Sequence, residues 1–110
     1  MSNRPLDQLE ATIAARQAAG DADSSYTAKL LAGGVEKIGR KIVEEAAEVV
    51  EAAGEPGEPG REHTIAEAGD VLYHLMVLLA HRQIKLSDVE SELARRFGMS
   101  GLEEKASRSK

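Results

Sequence analysis

The chain has 110 residues, of which 42% are hydrophobic and 30% charged, with a formal net charge of −5 and no cysteine. This length holds one hydrophobic core, so we expect a single domain over residues 1–110. The acidic balance argues against a protein that binds nucleic acid or anionic membranes in general, and the lack of cysteine excludes disulfides and thiolate metal sites. Apolar residues that are mostly Ala, Leu, Val and Ile, with one Phe and no Trp, favour an all-α fold.

The first half of the chain predicts three helices. Apolar residues recur at helical spacing after Pro5, which suits a first helical turn, and the helix should end near Gly20. The polar linker 21–25 leads to a short helix from Tyr26 to Ala32, a glycine pair at 33–34 that should end it, and a longer helix from about Val35 to Ala53. The N-terminus lacks the apolar core of a signal peptide, which suits a cytoplasmic protein.

The second half predicts two more helices. The prolines and glycines of residues 54–60 should form a flexible connector, because they cannot continue a helix. The fourth helix should begin near His63 or Thr64, with Thr64 as N-cap and Glu67 as its capping-box partner, and end near Arg82. Leu86 should open a fifth helix that Gly98 stops, and a polar tail follows from about residue 99.

The fourth predicted helix is apolar around nearly its whole circumference. Its longest apolar run, residues 71–80, is too short to span a bilayer, so we expect no membrane segment. Such a helix normally lies at the centre of a bundle or at a subunit interface. We therefore expect a bundle of four to five helices built on a helical hairpin, with its core completed by homodimerisation.

Two pairs of carboxylates have the spacing of neighbours on a helix face. Glu45 and Glu48 lie three residues apart on the third predicted helix, and Glu67 and Asp70 repeat that spacing on the fourth. Together they could surround one divalent ion, and an all-oxygen donor set favours Mg²⁺, with Mn²⁺ as a substitute, over zinc. In the alternative reading they form a solvated face, with Glu67 as a capping residue and Asp70 paired with a basic side chain. Carboxylates on an apolar helix are costly unless they are paired or metal-bound.

Basic residues precede the acids by one and two turns. Lys37, Arg40 and Lys41 could bind phosphate oxygens, although pairing with glutamates one turn away is an equally good interpretation. His74, four residues after Asp70, is more often a core histidine with satisfied hydrogen bonds than a metal ligand. The sequence contains no P-loop, dinucleotide fingerprint or nucleophile elbow, which argues against nucleophilic catalysis by a side chain.

Four segments closely resemble the phosphoribosyl-ATP pyrophosphohydrolase family, within the all-α pyrophosphohydrolases of MazG type: Ser25–Leu31, Lys37–Glu48, Glu67–Leu75 and Ser100–Arg108. The resemblance implies an enzyme that hydrolyses the small molecule phosphoribosyl-ATP to phosphoribosyl-AMP and pyrophosphate, the second step of histidine biosynthesis. It also implies a Mg²⁺-dependent homodimer. The cyclohydrolase that follows in the pathway is fused to this activity in some organisms, and we expect it to be a separate protein here.

The resemblance also implies roles for individual residues. Glu45, Glu48, Glu67 and Asp70 match the family's metal-binding pattern. The expected catalytic group is Glu44, Glu45 and Glu48, in which Glu44 is the candidate acceptor of the proton of the attacking water because it lies at the edge of the helix face that carries the acids. The expected phosphate-binding residues are Lys29, Lys37, Lys41, Lys105 and Arg108. Two alternatives stay open: a MazG-type enzyme acting on a free (d)NTP, and a non-catalytic helical dimerisation module whose acids are merely solvated.

Overall fold

Glycine and proline set the ends of the helices in the computed structural model, which describes residues 3–97 and Lys105. Residues 3–97 form four helices and no strand: α1 (Pro5–Ala19), α2 (Tyr26–Ala53), α3 (Gly57–His81) and α4 (Leu86–Arg95). The predicted all-α, MazG-like architecture is confirmed by this arrangement. Among the described residues, no helix has both the length and the apolar character needed to cross a membrane.

The first helix ends as its sequence predicts. Pro5 occupies the first turn, where its missing amide hydrogen has no helical partner to lose. Gly20 adopts a left-handed conformation at φ 65°, and its amide donates to the Arg16 carbonyl at 3.0 Å. This hydrogen bond closes the last turn of α1.

A sharp break at Gly34 divides α2 into an arm (residues 26–33) and a shaft (residues 35–53). Gly34 has φ 73° and ψ −170°, so the two predicted helices exist, but they meet at one residue without an intervening loop. Fifteen residues of straight helix would separate Tyr26 from Lys41 by about 22 Å. Instead the two side chains lie close together: burial raises the pKa of the Tyr26 hydroxyl, and the Lys41 ammonium opposes that shift. The arm therefore folds back beside the shaft.

The connector is shorter than predicted, and α3 begins at Gly57 rather than near His63 or Thr64. Pro59 lies in the first turn, where a proline costs no helical hydrogen bond. Thr64 is not an N-cap, because it lies inside the helix and its hydroxyl donates to the Gly60 carbonyl at 2.8 Å. Glu67 consequently has no capping-box role. The predicted flexible connector over 54–60 was wrong for its second half, because prolines and glycines are tolerated in a first helical turn.

The core lies where the arm, the shaft, α1 and α3 meet. Its buried members come from each of these elements: Ile13, Leu30, Ile38, Met76 and Val77. The shaft and α3 form the central antiparallel hairpin, and α1 packs across both α2 and α3. This hairpin sets the register between the two acidic pairs.

The helix α4 is attached to α1 by a side-chain cap. The Leu86 amide donates to Glu10 Oε2 of α1 at 2.6 Å, and the Lys85 amide donates to Asp88 Oδ2 at 2.9 Å. These bonds satisfy amides that have no partner within the helix. The predicted start at Leu86 is confirmed, but α4 ends at Arg95, before the predicted stop at Gly98, which lies outside the described residues.

Candidate metal centre

Three of the four predicted carboxylates converge across the hairpin. Glu45 on the shaft and Glu67 and Asp70 on α3 each offer a carboxylate oxygen, and these oxygens lie within 4.8 Å of one another. The fourth, Glu48, lies one turn along the shaft, close enough to share a hydrogen bond with Glu67. The antiparallel register therefore brings together all four predicted residues.

The acidic cluster (Glu45, Glu48, Glu67 and Asp70) contains carboxylate oxygens that have no hydrogen-bond donor in the described part of the chain. Glu45 Oε2 and Glu67 Oε2 are buried and have no hydrogen-bond partner among the described residues. A hydrogen bond shared with the Glu48 carboxyl, reinforced by burial, raises the pKa of Glu67, with Glu45 and Asp70 acting in the same direction. Buried oxygens without donors are costly, and a divalent cation would remove that cost. The donor set, all carboxylate oxygen, fits Mg²⁺ or Mn²⁺.

Lys41 lies at the edge of the acidic cluster and pairs with two glutamates of its own helix. Its ammonium is 3.1 Å from Glu44 Oε2 and 4.0 Å from Glu45 Oε1. The hydrogen bond to Glu44 raises the pKa of Lys41, which therefore stays charged at neutral pH. Glu44 itself is mostly exposed and faces Lys41. Lys41 is therefore paired with glutamates of its own helix, which was one of the two interpretations of its sequence position. Its positive charge lies beside the acidic cluster.

A chain of hydrogen bonds ties the arm to α3 beside the cluster. His74 is buried, and its Nδ1 is 2.8 Å from the backbone carbonyl of Asp70. A carbonyl only accepts, so Nδ1 carries a proton, and in the neutral ring Nε2 accepts from the Tyr26 hydroxyl at 3.1 Å. The Thr27 and Tyr73 hydroxyls share a second bond at 2.5 Å. Both ring nitrogens of His74 are satisfied, as expected for a core histidine.

The remaining predicted basic residues lie on the arm, the shaft and the tail. Lys29 is exposed on the arm, and Lys37 is half-buried on the shaft. The stem of Lys37 lies over Gly33, where an added Cβ would come within 2.3 Å of Lys37 Cδ. Lys105 is exposed, and Arg108 lies outside the described residues. Because Gly33 has no side chain, the aliphatic stem of Lys37 can pack over it.

Sequence reasoning missed His63 as a neighbour of the acidic cluster. Its Nδ1 is 2.9 Å from Glu55 Oε1, and its Nε2 is 3.4 Å from Glu67 Oε1. The hydrogen bond to Glu55 raises the pKa of His63. The four-residue spacing from His63 to Glu67 was a usable signal. It was overlooked because α3 was expected to begin at or just after His63.

The chain matches known proteins along most of its length. Residues 6–97 match the family model described as phosphoribosyl-ATP pyrophosphohydrolase. The chain is 61% identical to the phosphoribosyl-ATP pyrophosphatase of Rhodopirellula baltica, covering 94% of this chain and 86% of that protein. It is 56% identical to the same-named protein of Paracoccus denitrificans, covering 94% and 92%. It is 52% identical to phosphoribosyl-ATP pyrophosphatase 1 of Rhodopseudomonas palustris, covering 98% and 97%.

Proposed function

Because the chain belongs to the phosphoribosyl-ATP pyrophosphohydrolase family, we propose that it hydrolyses phosphoribosyl-ATP to phosphoribosyl-AMP and pyrophosphate, the second step of histidine biosynthesis. The observation that best supports this proposal in the structure is the convergence of Glu45, Glu67 and Asp70 across the hairpin. Acids that were merely solvated would not need to place two of their carboxylates, those of Glu45 and Glu67, away from solvent and close to each other. The cytoplasmic location expected from the sequence stays a prediction.

We propose that the acidic cluster holds Mg²⁺, with Mn²⁺ as a substitute. The unsatisfied oxygens of Glu45 and Glu67 support this assignment. When bound, the ion would supply Lewis acidity, charge neutralisation for the triphosphate and a lowered pKa for a water molecule. The antiparallel packing of the shaft against α3 keeps these carboxylates close together.

The residues around the cluster have proposed roles toward the substrate. Lys41 lies next to the cluster and would contact phosphate oxygens of the substrate. Glu44, held 3.1 Å from Lys41, accepts the proton of the water that attacks phosphorus at the α–β linkage, and the bond to the departing pyrophosphate breaks. The further phosphate contacts proposed are Lys29, Lys37, Lys105 and Arg108. Lys41 thus has to exchange part of its pairing with Glu44 for a substrate phosphate.

The test is pyrophosphate release by the purified protein from phosphoribosyl-ATP, dUTP, dCTP and ATP, with and without Mg²⁺. We expect Mg²⁺-dependent release from phosphoribosyl-ATP alone. Faster release from a free nucleotide would mean that the substrate is that nucleotide, and it would leave the proposed metal site unchanged. No release from any substrate by folded, metal-loaded protein would favour the helical dimerisation module.

Glu48→Gln tests the metal-ligand role, because the amide keeps the size of the side chain and removes its charge. We expect this variant to lose most activity, while Glu51→Gln, one turn further along the same shaft and also exposed, keeps it. Far-ultraviolet circular dichroism should show equal helix content for both. Full turnover by the Glu48 variant would remove Glu48 from the ligand set.

We propose further that a second copy of the chain covers the outer face of the hairpin. Ala46 and Val49 of the shaft and Ala68, Val71 and Leu72 of α3 line an open hollow of about 400 Å³. Beside it, several large apolar side chains are exposed: Val43, Val50, Ile65 and Leu75. An apolar surface of this kind on two adjacent helices is typical of a subunit interface. The two subunits would complete the core of a helical bundle.

Light scattering coupled to size-exclusion chromatography tests this interface. The unaltered protein should elute as a dimer, and Leu72→Glu should shift it toward the monomer, because a buried, unpaired charge at the interface is costly. Leu93→Glu on α4 is the control, since Leu93 is exposed to a similar extent, at 48% against 44%. Equal mass for all three proteins at low concentration would argue against this face.

A further inference from the structure

The connector between α2 and α3 holds Glu55 tightly against the first turn of α3. Gly57 has φ 71°, a conformation that other residues rarely adopt. A Cβ at Gly60 would lie 2.1 Å from the Glu55 carbonyl oxygen and 3.0 Å from Glu55 Cβ. The backbone of Glu55 therefore occupies space that any side chain at position 60 would fill. The Glu55 carboxylate thus extends from a backbone whose position these glycines fix.

That carboxylate faces His63, and His63 faces the acidic cluster. Glu55 Oε1 is 2.9 Å from His63 Nδ1, and His63 Nε2 is 3.4 Å from Glu67 Oε1. The side chains of Glu55 and His63 are both 44% exposed. Ion pairs at such exposure contribute little to folding stability. Both ring nitrogens of His63 face carboxylate oxygens, which only accept, so the two contacts together need the protonated ring, in which both nitrogens donate. The alignment of the three side chains then has its main effect on direction, because it fixes which way this ring points.

The two oxygens of Glu67 consequently have different surroundings. Oε1 lies next to the His63 ring, whereas Oε2 is buried and has no partner among the described residues. We propose that His63, oriented by Glu55, is a positioning residue that holds Glu67 Oε1 and so leaves Oε2 for a divalent cation. This inference rests on the metal site of the proposed function. Hydrogen bonds from neighbouring side chains to ligating carboxylates commonly fix their rotamers in this way.

Two near-isosteric variants separate the contacts of the imidazole. The amide nitrogen of His63→Gln lies near the place of Nε2 and can donate to Glu67, whereas that of His63→Asn lies near the place of Nδ1 and reaches only toward Glu55. Binding of Mn²⁺ alone is measured by isothermal titration calorimetry on the full chain. Glu62→Gln, a neighbouring exposed position on the same helix, is the control.

We expect His63→Asn to weaken Mn²⁺ binding about 10–100-fold, the usual effect of losing a residue that orients a metal ligand. His63→Gln and Glu62→Gln should bind nearly as tightly as the unaltered protein. Unchanged or tighter binding by His63→Asn, or equal loss in both His63 variants, would overturn the positioning role and leave the metal site in place. Failure of the unaltered protein to bind Mn²⁺ would overturn the metal site and this inference together.

Discussion

Replacing Gly34 with alanine tests the break between the arm and the shaft. At φ 73° and ψ −170° this residue lies in a region that is essentially restricted to glycine, and forcing another residue into it costs about 1–3 kcal/mol. Steric overlap adds little, because the nearest atom to an added Cβ is His81 Nε2 at 4.0 Å. The expected loss of stability is therefore the conformational cost alone.

The matched control is Gly39→Ala, five residues further along the shaft. An added Cβ there meets nothing within 4 Å, so the higher helix propensity of alanine should raise stability by about 0.5–1 kcal/mol. Both variants and the unaltered protein are unfolded in urea at one protein concentration and followed by circular dichroism. We expect opposite shifts of the midpoint. A Gly34 variant as stable as the Gly39 variant would refute the assignment of the strained break.

Other predictions concern the α1–α4 cap and the acidic cluster. Glu10→Ala removes the acceptor of the Leu86 amide and should lower the free energy of unfolding in urea by about 0.5–2 kcal/mol. The control Glu10→Gln keeps an acceptor oxygen and should lose less. Equal unfolding midpoints for the two variants and the unaltered protein would contradict the cap. The raised pKa of Glu67 means that the folded, metal-free protein holds this proton more tightly than the unfolded chain. The proton on Glu67 therefore stabilises the folded protein at low pH, and this stabilisation is lost as the pH rises through the folded-state pKa. The difference in unfolding free energy between the unaltered protein and Glu67→Gln should change over the same pH range. A difference independent of pH would contradict the shift. For the same reason Mn²⁺ binding should weaken as the pH falls through that pKa, because the ion competes with the proton.

The sequence was sufficient to predict the helices and the acidic pairs, because both depend on local spacing. The apolar period of α1, the polar linker before Tyr26 and the two acidic pairs three residues apart are all local features. The start of α3 depends on whether the first helical turn tolerates Pro59 and Gly60, and the sequence pattern alone did not show that it does. Spacing therefore predicted elements better than it predicted their boundaries.

The contacts between distant segments were beyond sequence reasoning. Tyr26 reaches His74 only because the arm folds back at Gly34, and the direction of that fold depends on one pair of dihedral angles. Glu55 reaches His63 only because the connector is residues 54–56, four residues shorter than its composition suggested. Both contacts lie beside the acidic cluster, so the cluster itself was predictable from the sequence while its surroundings were not.

The cap between α1 and α4 has a consequence for local unfolding. Glu10 bonds to the Leu86 amide, and Gln17 of the same helix donates to the Ala80 carbonyl at 3.3 Å, so α1 spans the turn between α3 and α4. When α1 detaches, the first turn of α4 loses its cap and the last turn of α3 loses a donor. The helices α1 and α4 should therefore open as one cooperative unit, leaving the acidic hairpin folded. The detachment of α1 should then determine how fast the amides of both helices exchange with solvent, although α1 supplies none of the proposed ligands.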